Sequence, residues 1–229
     1  MTPLAIAIGA GFVLLGAAAE RLAAVWPPDE ASRRPLGART ALLAVAAGAA
    51  GWGIAARSTL PAWATAAHLG ILALLVLLSA TDLEQRRLPH LLLDPLIVAA
   101  LAFVPFNPSV APLDALIGAV VAVAFLGVLN LLIRGGVAMG DLYLVAPLGL
   151  LLGWQAVFGA IFLAALLSAA ASLVLLVTGR AGLKSYIPFG PFLVAGTVLT
   201  LLRDERLLGE AAALLRTAVA AVDALARSL

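Results

Sequence analysis

The sequence predicts an all-α, polytopic transmembrane helix bundle of about eight spans. Three observations carry this. Of the residues, 64% are hydrophobic and only 11% charged; the mean hydropathy is +1.13; and the chain is a succession of Ala/Leu/Val/Gly-rich runs about 20 residues long, the length that crosses a hydrocarbon core. Soluble domains are roughly a quarter charged, so the bilayer rather than water is the main solvent. Lipid offers backbone amides no partners, and continuous apolar runs of this length satisfy theirs as helices, not strands.

The first run, Pro3 to Ala19, has no basic segment before it and is followed by further apolar spans, so it reads as a span rather than a signal peptide. The remaining spans fall at about 41–56, 62–81, 91–106, 113–133, 142–157, 158–178 and 187–202. The apolar run from Leu142 to Thr178 would be roughly 55 Å long as one helix, against a core of about 30 Å. A break near Gly153-Trp154-Gln155 is therefore expected. Trp26 to Arg39, rich in proline and charge, reads as a loop. With the N-terminus outside, Arg21, Arg33, Arg34, Arg39, Arg86, Arg87, Arg134, Arg180 and Lys184 fall at the cytoplasmic side, against five cations elsewhere. Residues 1–202 form one membrane domain; the Ala/Leu-rich 203–229, with charges at intervals, reads as an amphipathic surface helix or a packing tail.

The composition also excludes function classes. The chain has no cysteine, and His68 and His90 are far apart, so no metal site is implied, and no cofactor. Net charge is only +2, with cations scattered among loops, which argues against a nucleic-acid partner. His68, inside a span, reads as a helix–helix hydrogen-bond donor.

The carboxylates are more informative. Asp82 and Asp141 each stand at the boundary of a long apolar run, and the expected topology puts both on the cytoplasmic side. Two carboxylates within a few ångströms cannot both ionise cheaply, so such a pair tends to hold one proton. One member then deprotonates water while the other donates to a carbonyl, which is peptide-hydrolysis chemistry without a metal. Position alone equally allows each aspartate to cap a helix, with Gly140 supplying the turn before Asp141. Asp94, beside Pro95, is expected at a kink facing the bundle interior, as a partner of the site or a catalytic candidate itself; Asp114 is expected to cap a helix. Asp82, Asp94 and Asp141 would also suit a small transporter's proton or cation path.

Three motifs add context. TDLEQRRLPH, Thr81 to His90, places Asp82 ahead of a basic stretch and Leu-Pro; VAMGDLYLVAPLGLLLGWQ, Val137 to Gln155, carries Gly140-Asp141; and YIPFGPFLVAG, Tyr186 to Gly196, contains Pro188, Gly190 and Pro191. In order and spacing these resemble the prepilin leader peptidases, membrane proteases with a Gly-x-Gly-Asp motif. The resemblance runs from about Leu74 to Leu202, while the first 70 residues resemble the family only as apolar helices. It implies an aspartyl endopeptidase of the bacterial cytoplasmic membrane with Asp82 and Asp141 catalytic, acting on a type IV pilin-like or pseudopilin precursor. Gly140, Ala138, Pro89, His90, Asp94, Pro188, Gly190 and Pro191 are the expected supporting residues.

The chain departs from the pattern at named positions. Ala138 stands at the first glycine of Gly-x-Gly-Asp, where a methyl would obstruct a positive-φ turn or a close helix approach. Tyr143 replaces the family's usual lysine, and His90 the asparagine after proline; His90 reads either as a solvated loop residue or, less often for a lone histidine at an interface, as a hydrogen-bond partner near Asp82. With no cysteine, the chain lacks the two Cys-x-x-Cys pairs associated with methylation in the family, so methyl transfer is not expected. These departures motivate the alternative of a non-catalytic partner in pilus or secretion assembly. Glycine-rich helix faces allow a homo-oligomer.

Overall fold

The computed structural model describes residues 2–26, 37–133, 137–179, 182 and 187–202. Among the described residues seven α-helices follow in order: α1 (Pro3–Ala23), α2 (Ala38–Arg57), α3 (Ala62–Gln85), α4 (His90–Phe103), α5 (Pro112–Leu132), α6 (Met139–Val177) and α7 (Gly190–Leu202), with a 3-10 turn, Val104–Phe106, extending α4. Five of them are long and apolar enough to cross a membrane, and α4 with its turn and α7 are shorter apolar helices. This is a multi-pass membrane bundle. Most of the loop expected at Trp26–Arg39, the tail 203–229 and Tyr186 lie outside the described residues.

Prolines set several helix starts. Pro3 and Pro112 occupy the first turns of α1 and α5, while Pro61 and Pro89 stand at the caps of α3 and α4. At such positions the missing N–H costs nothing and the fixed φ suits the helix.

The expected break in the long apolar run is present. Gly153 has φ 75 and ψ 169 inside α6, dividing it into arms 139–152 and 154–177. The arms run in opposite directions. Asp141, in the first arm, approaches Gly190 at the start of α7, and Leu151 and Leu152 share a cavity with Leu201 and Leu202 at the other end of α7. The second arm then descends, because Ala160 and Ala164 meet Gly196 in the middle of α7. The first arm crosses α5 at Gly118 and Gly149, where a Cβ on either would lie 2.5 Å from the other's carbonyl oxygen. Such backbone-to-backbone approach is how helices gain packing in lipid, where apolar burial is no drive.

The conformation of Gly153 is open essentially to glycine alone, and a Cβ there would also lie 2.8 Å from Val110. Gly153→Ala is expected to lower stability by about 1–3 kcal/mol, measurable as a reduced unfolding midpoint in detergent.

Among the described residues, two large clusters of buried side chains and a small one of Ala100, Val104, Ala115 and Leu150 build the interior. Phe12, Leu43, Ala47, Leu72 and Val76 join the α1–α2 hairpin to α3. Leu75, Leu78, Leu93, Leu96, Leu144, Leu148 and Leu193 join α3, α4, α6 and α7. Helix α3 belongs to both large clusters and is the spine of the bundle. His68 lies on it, but its Nδ1 pairs with the Ala64 carbonyl of its own helix at 2.8 Å and its ring packs edge-on against Phe103. The expected helix–helix hydrogen bond gives way to an intrahelical one, because the backbone carbonyl four residues earlier is always within reach.

Candidate active site

Three helix ends meet at one end of the bundle. Asp82 lies in the last turn of α3, Asp141 in the first turn of α6, and Gly190 opens α7. Both aspartates are buried, at 5% and 2% exposure. The Gly190 N–H donates to Asp82 Oδ2 at 3.1 Å. A Cβ placed on Gly190 would sit 2.7 Å from that same oxygen and 3.6 Å from Asp141 Oδ1. The two carboxylates thus face one point, the space that glycine leaves empty.

The start of α7 explains why this amide is available. A helix leaves its first N–H groups without intrahelical partners. Here Phe192 and Leu193 bond back to the Phe189 carbonyl, and Pro191 has no N–H. Gly190 therefore presents the remaining donor to Asp82, at the end of the helix where the dipole favours an anion. Pro188 and Pro191 flank this donor and disfavour any continuation of α7 beyond it.

Helix capping accounts for the pair only in part, since the Ala138 amide bonds to the Asp141 carboxylate as in a capping box. Asp82 is at the C-terminal end of its helix, where a carboxylate meets the unfavourable end of the dipole. The cap of α6 is Ala138, with Asp141 three positions on, and Asp141 Oδ2 is buried with no hydrogen-bond partner among the described residues. A buried carboxylate oxygen without a partner is costly for stability alone. Asp114 likewise lies in the first turn of α5 behind the cap Ala111, so the expected cap is displaced by three positions.

The supporting residues divide into two groups. Gly140 lies against Leu88, whose Cδ1 is 3.1 Å from where a Cβ would stand, so the Leu88-Pro89 turn of the first motif packs directly on the residue before Asp141. Pro89 caps α4, its carbonyl accepting the Leu92 and Leu93 amides. His90 and Asp94, by contrast, pair with each other at 3.1 Å, both side chains 66% exposed. His90 also packs edge-on against Tyr143. The expected interior position of Asp94 is therefore corrected, and of the two readings of His90 the exposed one holds. The i, i+4 spacing on α4 brings these two together on its outer face.

Residues 69–173 match the model of the type IV leader peptidase family. Leader peptidase HopD of Escherichia coli is 36% identical over 127 residues, which cover 52% of this chain and 81% of that protein. The chain belongs to the type IV leader peptidase family. Prepilin leader peptidase/N-methyltransferase of Burkholderia pseudomallei is 38% identical over 174 residues, 74% of this chain and 56% of that protein. The protein of the same name from Aeromonas hydrophila is 34% identical over 172 residues, 72% of this chain and 57% of that protein. The chain thus spans little more than half the length of these two relatives. No solved structure matches.

Ala138, where the motif resemblance leads one to expect glycine, has a physical reading. Its φ is −72° and its ψ 147°, an extended conformation open to any residue. The methyl demands no positive φ. Ala138→Gly is expected to change the cleavage rate by less than about 3-fold, since nothing in the backbone requires glycine there; initial rates on a leader-bearing precursor check this. Tyr143 is 48% exposed and its ring meets His90.

Sequence reasoning missed the Gly190 amide as a donor and Leu88 as the contact joining the two motifs. Only the first left a trace in the sequence, a glycine between prolines at a helix start.

Proposed function

We propose that this chain is a membrane aspartyl endopeptidase that removes the basic leader from type IV pilin-like or pseudopilin precursors. The observation that carries the reading is the convergence of Asp82 and Asp141 on one point beside the Gly190 amide. The relatives are named prepilin leader peptidases, which supports the substrate class.

The chemistry follows from the pair sharing one proton. The ionised carboxylate takes a proton from water as its oxygen attacks the scissile carbonyl carbon. The protonated partner donates to the carbonyl oxygen, giving a tetrahedral diol. Collapse of the diol breaks the C–N bond, returns a proton to the departing amine and leaves a new carboxyl group. The Gly190 N–H donates to Asp82 and holds that carboxylate in one orientation.

The cation distribution supports a cytoplasmic placing for this end of the bundle. A precursor with a basic leader in water and an apolar stem in lipid would present its junction at that depth. The site supports hydrolysis, so peptidase activity alone is proposed, without methyl transfer. A proton path through Asp82, Asp94 and Asp141 is disfavoured by the exposed, His90-paired position of Asp94.

The test is incubation of the purified full chain, in detergent or liposomes, with several pilin-like precursors. Shortening at the leader junction, located by mass spectrometry, is the expected outcome. A folded chain that leaves every precursor intact removes the proposal.

A further inference from the structure

Asp82 stands four residues before the C-cap of α3, Arg86. Helix ends open more readily than helix centres, and the C-terminal dipole disfavours a carboxylate. Yet Asp82 is buried and aimed at a single amide. Something must fix this end of the helix from behind.

Its neighbours do so. Side chains two positions apart on a helix point to different sides, so Glu84 turns away from α7 towards the α1–α2 hairpin. Its side chain is 5% exposed and its Oε2 lies 3.2 Å from Arg39 Nη1, in the first turn of α2. Gln85 Nε2 donates to the Ala23 carbonyl, at the end of α1, at 2.7 Å. Thr40, next to Arg39, donates its hydroxyl to Glu20 of α1 at 2.9 Å, tying the two helices of the hairpin together. The backbone closes α3 at the same place, with the Arg86 amide bonding to the Asp82 carbonyl at 2.9 Å and Arg86 in the left-handed region at φ 54.

We infer that Glu84, paired with Arg39, is a positioning residue for Asp82, and that the α1–α2 hairpin, outside the family-matched segment 69–173, sets the aim of that carboxylate. The pair is one N–H···O contact between an acid 5% exposed and a cation 56% exposed, and the Gln85 bond to α1 acts beside it. Together they fix rotation of the last turn about the helix axis, and rotation is what moves Asp82 relative to Gly190 and Asp141.

The inference rests on the peptidase reading for its kinetic arm alone. Arg39→Ala and Glu84→Gln are each expected to lower kcat about 10- to 100-fold, the effect of a small misplacement of a reacting group, with KM within about 2-fold of native. Arg39→Lys, which keeps the cation, should retain most of kcat. The reversed pair, Arg39→Glu with Glu84→Arg, should recover to within about 5-fold of native, the coupling expected of residues in contact. The second arm needs no substrate. Because the chain has no cysteine, Asp82→Cys introduces a single thiol, and its alkylation by a maleimide should be several-fold faster when Arg39→Ala is added. Native kcat in the single variants, or a reversed pair no better than either alone, overturns the inference, as does an unchanged labelling rate. Should the native chain cleave nothing, the peptidase reading falls and the labelling rate decides the positioning role by itself.

Discussion

Asp82→Asn and Asp141→Asn are each expected to reduce cleavage by at least about 10³-fold, a loss of roughly 4 kcal/mol of transition-state stabilisation. Asparagine is nearly the shape of aspartate and keeps an oxygen that accepts the Gly190 amide. What it removes is the capacity to take up or release a proton. A pair that shares one proton needs both members, so the double variant should be no slower than the slower single, the non-additivity of groups acting as a unit. Helical content and unfolding midpoint should be kept or raised, because both carboxylates are buried and a neutral amide is cheaper to bury than a charge. The comparison is made by single-turnover cleavage of a leader-bearing precursor beside circular dichroism. If either variant retains a tenth of the native rate, that aspartate is not one of the two catalytic groups.

The helices were legible because lipid imposes length and apolarity on them. The break in the long run could be placed near Gly153-Trp154-Gln155 for the same reason, since a helix through Leu142 to Thr178 outruns the bilayer; the structure puts it at Gly153. Which way each helix faces was not legible. When a helix is apolar all round, as α3, α4 and α6 nearly are, the pattern carries no stripe to mark the core face. Asp94 illustrates the failure, since burial seemed the reason for a carboxylate inside a span, yet it pairs on the outer face with His90 four residues away.

The site was legible to a similar extent. Asp82 and Asp141 could be singled out by their places at the edges of apolar runs, and the structure brings their carboxylates to one point. Nothing in the sequence pairs Glu84 with Arg39, 45 positions apart, because a charged residue at a helix end serves equally well in solvent. The glycine cradle has the same origin. The Gly190 amide reaches Asp82 across 108 positions, and only the meeting of α3, α6 and α7 reveals that this glycine is needed for space.

That need gives the second large effect. Gly190→Ala is expected to lower kcat by about 10²-fold or more, the scale on which a misplacement of about 1 Å acts. The added methyl would stand 2.7 Å from Asp82 Oδ2, closer than a carbon and a carboxylate oxygen tolerate, and 3.6 Å from Asp141 Oδ1. Asp82 has to turn or α7 has to withdraw. Either movement breaks the 3.1 Å hydrogen bond that aims the carboxylate and fills the space between the two acids. Alanine is otherwise acceptable to the helix, being favoured over glycine by about 1 kcal/mol in helix interiors, so the damage should fall on catalysis more than on folding. Gly70→Ala is the matched control. It lies on α3, the helix that carries Asp82, and a Cβ there meets nothing within 4 Å; the native rate should persist, with stability unchanged or slightly raised. If Gly190→Ala cleaves at near the native rate while folded, the empty space beside the two carboxylates is not where the scissile bond and its water must fit. If it loses activity and Gly70→Ala does not, the loss comes from crowding of the two acids rather than from substituting glycine in a membrane helix.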